Sequence, residues 1–239
     1  MEAHHEINRR NTVVKRAIVV AISVILALVV AAPIASGKSS SQSQNLGQLT
    51  AEWWNWAIST NPSPLEGSYK GGAQCNGEYV AGVFFLSGSL ATDPETRTCT
   101  VPAHTPILFS PFNYLCSEVL GDPEPLDTAC ATPTTDAVID PSSSFYARVD
   151  GKDANQQRIA SGLFQWTIPV DNTLALPAGT YESAQDGLWV FLQKGLKRGK
   201  HEIVFGGTFE DTPFNTPENP SFEGARITYE LTAVNKAGR

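Results

Sequence analysis

The sequence is short of charge, of basic residues and of histidine, and each shortage excludes a class of protein. Charged residues make up 17% of the 239 residues, against roughly 25% in average soluble domains. Lys and Arg number 17 against 24 Asp and Glu, a net charge of −7. This balance excludes a general nucleic-acid binder, because such proteins carry a basic face. The hydrophobic share of 41% is enough to build a core and excludes disorder over most of the chain.

Motifs of metal and nucleophilic chemistry are also missing. Beyond residue 37 the sequence holds two histidines, His104 and His201, so a histidine-rich metal site is excluded. It contains no HExxH, no GxSxG, no SxxK and no complete P-loop. His201 shares a face with Ile203 and Phe205 in a predicted strand, so it is interpreted as a core or rim histidine bonded to backbone rather than as a catalytic base. His104 is expected to be exposed in a turn, and no cofactor is predicted.

The N-terminal segment, residues 1–37, is predicted to be a targeting signal. An uncharged apolar run at 17–35 follows four basic residues: Arg9, Arg10, Lys15 and Arg16. A basic flank, an apolar run and small residues are typical of a secretory signal peptide, here with cleavage after Gly37. The run is also just long enough for an uncleaved membrane anchor, and both alternatives export the rest of the chain. We therefore expect a secreted protein or one held at the outer face of the cytoplasmic membrane.

The exported part is predicted to be a single all-β domain, a β-sandwich or jelly roll, with one short helix at its start. Residues 38–48 are expected to form a flexible polar spacer and residues 49–239 the domain. Residues 49–59 predict a helix because Leu49, Trp53 and Trp56 recur at helical spacing. Period-two alternation, interrupted by clusters of Gly, Pro, Asn and Asp, predicts antiparallel strands. Such strands are expected at 80–90, 97–101, 107–112, 144–149, 163–168, 188–192, 202–209 and 226–234.

Three tryptophans in the predicted helix are the most conspicuous candidates for ligand binding: Trp53, Trp54 and Trp56. Trp53 and Trp56 lie on one stripe with Leu49, which favours a helix that packs on one end of the sandwich. Trp54 lies off that stripe, where an exposed indole is able to bind a sugar ring. Packing is the leading interpretation of the cluster, and an aromatic platform for a ligand is the functional one.

A predicted long connection at 113–142 is acidic and contains no Lys or Arg. Some of its carboxylates are weak candidates for a Ca²⁺ site: Asp122, Glu124 and Asp127. No EF-hand spacing is present, and acidic residues in exported loops are most often simply solvated, so no metal is predicted. The carboxylates of this connection would supply the acid and base if the protein were an enzyme that acts on polysaccharide.

The four cysteines predict two disulfides, Cys75–Cys99 and Cys116–Cys130. All four lie in the exported part and their number is even, and an oxidising compartment favours disulfides. No CxxC pair and no histidine set supports a zinc site instead. The sequential pairing is chosen because an antiparallel return between neighbouring strands would bring the second cysteine back beside the first. The other two cysteines bracket the acidic connection.

Several segments together carry a family resemblance: TAEWWNWAIS at 50–59, VFFLSGSL at 83–90, RTCTVPAHTPILFSPFNYLC at 97–116 and GLWVFLQKGLKRGKHEIVFGGTF at 187–209. The chain resembles a family of uncharacterised exported bacterial proteins that share a WWxWA segment, four cysteines and a late GxHxIxFGG strand. Here that last motif begins at Gly199 and ends at Gly207. The resemblance covers nearly all of residues 50–234. It implies export, the cysteine framework and a single domain, and it implies no catalytic residue.

These features favour a non-enzymatic, exported β-sandwich that binds a glycan or another cell-surface component. One alternative is a secreted polysaccharide-acting enzyme that uses the acidic carboxylates. Another is a purely structural or interaction protein without a small ligand. Carboxylates that face each other across a cleft would favour the enzyme, and a surface with neither a cleft nor an exposed aromatic row would favour the structural protein.

Overall fold

The computed structural model describes most of the chain after residue 40. The described residues are 41–59, 63–65, 75–90, 92–122, 128–139, 143–172, 174–210, 212, 215–216 and 221–235. The predicted signal or anchor segment, residues 1–37, lies outside them. Within the described ranges no helix combines the length and the apolar character needed to cross a bilayer. All described elements belong to one compact unit within residues 38–239.

The described residues form two sheets that pack face to face, which confirms the predicted all-β sandwich. The strands are β1 (Gly77–Val80), β2 (Val83–Leu86), β3 (Glu95–Pro102), β4 (Ile107–Ser117), β5 (Ser144–Val149), β6 (Lys152–Asp153), β7 (Gln157–Ala160), β8 (Phe164–Ile168), β9 (Gly179–Leu192), β10 (Gly199–Glu210), β11 (Ser221–Glu223) and β12 (Ile227–Val234). The helices are α1 (Ser41–Ser59) and α2 (Thr128–Ile139), and a 3₁₀ turn covers Glu118–Leu120.

Each sheet mixes antiparallel and parallel neighbours. Sheet A has the order β1-β2-β4-β9-β7, and β8 pairs with the first part of β9. Sheet B has the order β3-β12-β10-β5-β6, with β11 beside β10. The pairs β2–β4 and β3–β12 are parallel. In β12, Ile227, Tyr229, Leu231 and Ala233 are buried between the sheets, as the period-two pattern predicts.

Helix α1 lies against the outer face of sheet A, so the predicted packing on one end of the sandwich is wrong. Trp53 and Trp56 pack there with Trp166 and Trp189 in a cluster separate from the core between the sheets. Helical spacing indicates which face of a helix is apolar, but it does not indicate which apolar surface that face covers. The described residues therefore include three successive layers: helix α1, sheet A and sheet B.

The helix also begins earlier than the sequence predicts. Because α1 starts at Ser41, the predicted flexible spacer at 38–48 is wrong from that residue onward. Leu46 packs against the cluster beneath α1, which extends the apolar stripe by one turn. At Gly47 a Cβ would come within 3.0 Å of the Ala160 carbonyl oxygen, so the absence of a side chain lets the helix run close to β7. Tertiary packing thus orders a segment whose composition is typical of a linker.

The predicted long connection at 113–142 is largely structured. Strand β4 occupies its first part, and α2 occupies much of the rest. The sequence of α2 is rich in Thr and contains Pro133, and both are poor helix formers, so no local pattern predicts a helix. Contacts with sheet A hold it instead: the second disulfide joins it to β4, and the Arg158 guanidinium of β7 binds the Asp136 carboxylate.

Both predicted disulfides are present, Cys75–Cys99 and Cys116–Cys130. The argument from neighbouring strands for the first pairing is wrong, because Cys75 precedes β1 at the edge of sheet A and Cys99 lies in β3 at the edge of sheet B. The predicted strand at 80–90 is in fact split by a turn at residues 81–82, both with positive φ. The first disulfide therefore joins the two sheets at one edge of the sandwich.

Candidate functional site

Two of the three candidate tryptophans of α1 fasten the helix to sheet A. Trp53 is 2% exposed and donates its indole N–H to the Leu86 carbonyl oxygen at 2.9 Å. Trp56 is also buried, and its indole N–H donates to Glu78 Oε2 at 3.1 Å. A buried tryptophan usually finds a hydrogen-bond partner for its N–H. These two side chains therefore have a structural role.

Trp54 differs from them in exposure and in hydrogen bonding. Its side chain is half-buried, and its ring meets Trp53 edge to face with centroids 5.4 Å apart. Its indole nitrogen is buried and has no hydrogen-bond partner among the described residues. A buried donor without a partner costs roughly 1–3 kcal/mol. Of the three tryptophans, Trp54 is thus the one whose indole N–H is not committed to the fold.

Trp54 lies in the wall of a cleft of about 430 Å³, a volume typical of small-molecule sites, which span roughly 300–1,000 Å³. The cleft forms where strand β4 no longer has β2 as its neighbour in sheet A. Strand β2 pairs with β4 at only two positions, and from there on β9 is the only described strand that pairs with β4. A β-bulge follows between Phe109 and Phe112. Pro111 lines the cleft there, and a proline in a strand belongs at such an irregular, open edge because it has no N–H to donate.

An aromatic wall, formed by Phe112, Phe145 and Phe209, joins the two sheets beside the cleft. Phe112 stacks on Phe145 with ring centroids 5.2 Å apart, and Phe209 meets both rings edge-on. Gly207 lies across from Phe145 in the pairing of β10 with β5, and a Cβ there would overlap the Phe145 ring. Phe112, Phe209 and Gly207 line the cleft. The last glycine of the GxHxIxFGG motif is therefore explained by the packing of this wall.

A buried ion pair supports one rim of the cleft. Arg97 is 1% exposed, and its guanidinium binds Glu95 Oε2 at 2.6 Å. The same group donates to the Tyr229 hydroxyl at 2.9 Å and to the carbonyl oxygens of Ser87 and Gly88 at 3.0 and 2.9 Å. Because Gly88 lines the cleft, the guanidinium fixes the backbone of that rim. Burial raises the pKa of Tyr229, so its hydroxyl remains protonated in this network.

The described lining of the cleft carries no charge, since none of its residues is Asp, Glu, Lys, Arg or His. Apart from the indoles, this lining has four polar side chains: Ser89, Thr92, Ser110 and Asn113. Two of these hydroxyls are already engaged, because Ser89 donates to the Glu95 carboxylate and Ser110 donates to the Leu188 carbonyl oxygen. The described side chains are suited to hold an uncharged molecule, and none of them is a carboxylate, a histidine or a basic group.

His201 lies away from the cleft and has both ring nitrogens engaged. Nδ1 lies 2.8 Å from Asp150 Oδ2, and Nε2 lies 2.8 Å from the Lys197 carbonyl oxygen. The hydrogen bond with Asp150 raises the pKa of His201. Burial raises the pKa of Asp150, but hydrogen bonds from His201 and the Glu202 N–H bring it below its ordinary value. The bond to backbone confirms the interpretation as a rim histidine, and His104 is exposed as expected.

Asp122, one of the Ca²⁺ candidates, forms hydrogen bonds within the fold. This carboxylate accepts hydrogen bonds from the Ser117 N–H at 2.9 Å and from the Tyr114 hydroxyl at 3.3 Å. Burial and this carboxylate raise the pKa of Tyr114. The sulfurs of the second disulfide lie nearby, but a disulfide lacks the thiolates that bind metal. The other two candidates, Glu124 and Asp127, lie outside the described residues.

Sequence reasoning missed Arg97 and the aromatic wall. A signal for Arg97 was available, because it shares the buried face of β3 with Cys99 and Val101, and a buried arginine on an apolar face needs partners. The aromatic wall has no local signal, since its members come from β4, β5 and β10. Pairing between distant strands alone brings them together.

The fold and the cleft together define a three-layer β-sandwich with an uncharged, aromatic-lined cleft beside its N-terminal helix. Comparisons of the chain with protein-family models, with curated proteins and with solved structures give no match. The cleft itself is therefore the basis for assigning a function.

Proposed function

We propose that the protein is an exported, non-catalytic binding β-sandwich that acts at the cell surface, and that the cleft beside Trp54 is its ligand site. The observation that carries the proposal is a half-buried indole, with its N–H unpaired among the described residues, in the wall of an uncharged cleft. An apolar cleft with a few polar groups is the usual form of a small-molecule site. A glycan or another cell-surface component is the proposed ligand.

The contrast among the three tryptophans supports this role for Trp54. Trp53 and Trp56 are held by hydrogen bonds to sheet A, so their rings are fixed. Trp54 has no such bond within the described part of the chain. No hydrogen bond to the fold therefore engages its indole, and its side chain lines the cleft, where it is available for contact with a ligand.

Binding without catalysis is favoured by the chemistry of the lining. A glycosidase needs two carboxyl groups on either side of the bond to be cleaved, roughly 5 to 9.5 Å apart. The described residues that line the cleft include no carboxylate. Among the acidic residues of segment 113–142, Asp136 is bound to Arg158 and Asp122 to Ser117. The polysaccharide-acting enzyme is thus the less supported use of this cleft.

Export is supported by two features of the chain. The basic and apolar character of residues 1–37 is typical of a signal peptide or an N-terminal anchor. The two disulfides suit an oxidising compartment outside the cytoplasm. With either form of residues 1–37, the sandwich and its cleft would face the cell exterior.

Cosedimentation tests the proposal. Residues 38–239, which contain every described element, are mixed with purified cell-wall sacculi and, separately, with envelope membranes. We expect cosedimentation with at least one of them, lost in Trp54→Ala and kept in Tyr79→Ala, which removes an aromatic ring that is 48% exposed and lies outside the cleft. Near-ultraviolet circular dichroism confirms that both variants fold. Equal binding by wild type and folded Trp54→Ala would reject the cleft as the ligand site.

A further inference from the structure

The inner end of the cleft reaches the apolar core between the sheets. Phe205 and Ile227 line it and are only 2% and 1% exposed, and both belong to the inter-sheet core. At the surface, Leu90 also lines the cleft and is 61% exposed. The cleft thus has apolar side chains both at its rim and at its inner end.

From this lining we infer that the cleft binds a hydrocarbon chain, such as the acyl tail of a surface amphiphile, rather than a saccharide. The inference rests on the proposed function and names the class of ligand. An apolar chain gains binding free energy with each CH₂ group that it buries. The described lining carries no charge, so a charged or zwitterionic group of the same ligand would remain in solvent.

A saccharide fits the polar groups of the cleft poorly. A sugar ring carries a hydroxyl on most of its carbons, and a hydroxyl that is buried without a partner loses its hydrogen bonds to water without replacement. Ser89 and Ser110 already donate to Glu95 and to the Leu188 carbonyl oxygen, so their hydroxyls are left only to accept. The apolar side chains at the inner end and the rim, Phe205, Ile227 and Leu90, offer the hydroxyls of a sugar no hydrogen-bond partner.

Competition between a hydrocarbon and a sugar for the cleft tests the inference. Residues 38–239 are titrated with N-phenyl-1-naphthylamine, a neutral dye that fluoresces in apolar sites, and 1-decanol and cellobiose are then added as competitors. Trp54→Phe keeps an aromatic face and removes the indole N–H, whereas Trp54→Ala removes both. Leu90→Ala shortens the rim, and Leu163→Ala is its matched control, a leucine 49% exposed and outside the cleft.

We expect the dye to bind one site and to be displaced by 1-decanol but not by the same concentration of cellobiose. Trp54→Ala should weaken dye binding by about tenfold and Leu90→Ala by about threefold. Trp54→Phe and Leu163→Ala should bind as wild type does. Trp54→Phe keeps a large aromatic side chain, so it provides a test of this position that does not depend on the folding of Trp54→Ala.

Three results would overturn the inference: no dye binding, dye binding that is unchanged in folded Trp54→Ala, or displacement by cellobiose together with loss of binding in Trp54→Phe. The last result would identify a sugar site and leave the proposed function intact. The proposed function fails on a different observation, namely cosedimentation that does not depend on Trp54.

Discussion

Replacement of Arg97 by methionine tests the buried ion pair at the rim of the cleft. Methionine has a similar length and no charge, so the change removes the guanidinium and leaves most of the apolar stem. The variant leaves the Glu95 carboxylate without its cation. It also deprives the Gly88 carbonyl oxygen of the guanidinium that binds it. Breaking a buried ion pair from one side lowers the free energy of unfolding by about 3–5 kcal/mol.

The structure places the effect at the lower end of that range, about 3 kcal/mol. The Glu95 side chain is 19% exposed, so solvent reaches it, and it keeps the hydrogen bond from Ser89. The Ser87 carbonyl oxygen likewise keeps the Tyr229 hydroxyl at 2.9 Å. In a domain of this size, a loss of about 3 kcal/mol lowers Tm by about 6–12 °C.

Urea unfolding, followed by tryptophan fluorescence, measures the loss. We expect Arg97→Met to lower the midpoint by about 1–3 M with an unchanged slope. The double variant Glu95→Gln/Arg97→Met should recover about 1 kcal/mol, because it removes the carboxylate that the single variant leaves unpaired. A midpoint within about 0.3 M of wild type corresponds to a change in the free energy of unfolding of about 0.5 kcal/mol. Such a result would refute the reasoning. A double variant as unstable as the single one would show that the carboxylate is not the source of the loss.

Four further predictions follow from the structure. Trp53→Ala should lower the free energy of unfolding by about 3–5 kcal/mol, whereas Trp54→Ala should lower it by less than about 1.5 kcal/mol; urea titration compares them. The hydrogen bond with Asp150 raises the pKa of His201, so the stability that the charged imidazole contributes is complete below pH 6.5 and is lost as pH rises through the raised pKa. The urea midpoint should therefore fall as pH rises from 6 to 9, and Asp150→Asn should flatten that change. Serine in place of both cysteines of the second disulfide should cost about 3 kcal/mol in the chain-entropy model and increase hydrogen exchange in α2 before the sheets. N-terminal sequencing of the exported protein should start near Lys38 or, if the anchor is kept, at the first residues of the chain.

Features that depend on local periodicity and on residue counts could be predicted from the sequence. Alternation over Ile227–Val234 predicts the buried face of β12, which the structure confirms, because a strand places every second side chain on one face. The positions of Trp53 and Trp56 on one helical stripe likewise predict their burial. An even number of cysteines, in a chain whose N-terminal segment is predicted to be an export signal, predicts two disulfides, and both are present.

Tertiary structure alone decided what those faces pack against. The pairing of Cys75 with Cys99 is correct, but it joins two sheets rather than two neighbouring strands, because parallel β3–β12 pairing places β3 in the sheet opposite β1. Helix α2 forms against its own weak propensity, since the disulfide and Arg158 hold it on sheet A. The cleft is a still less local feature. It requires β4 to lose β2 as a neighbour, and its lining comes from α1, β4, β10 and β12 and from the segments before β1, β3 and β12. Only the folding of distant segments onto one another brings such side chains together, so a pattern confined to neighbouring residues has no means of predicting them.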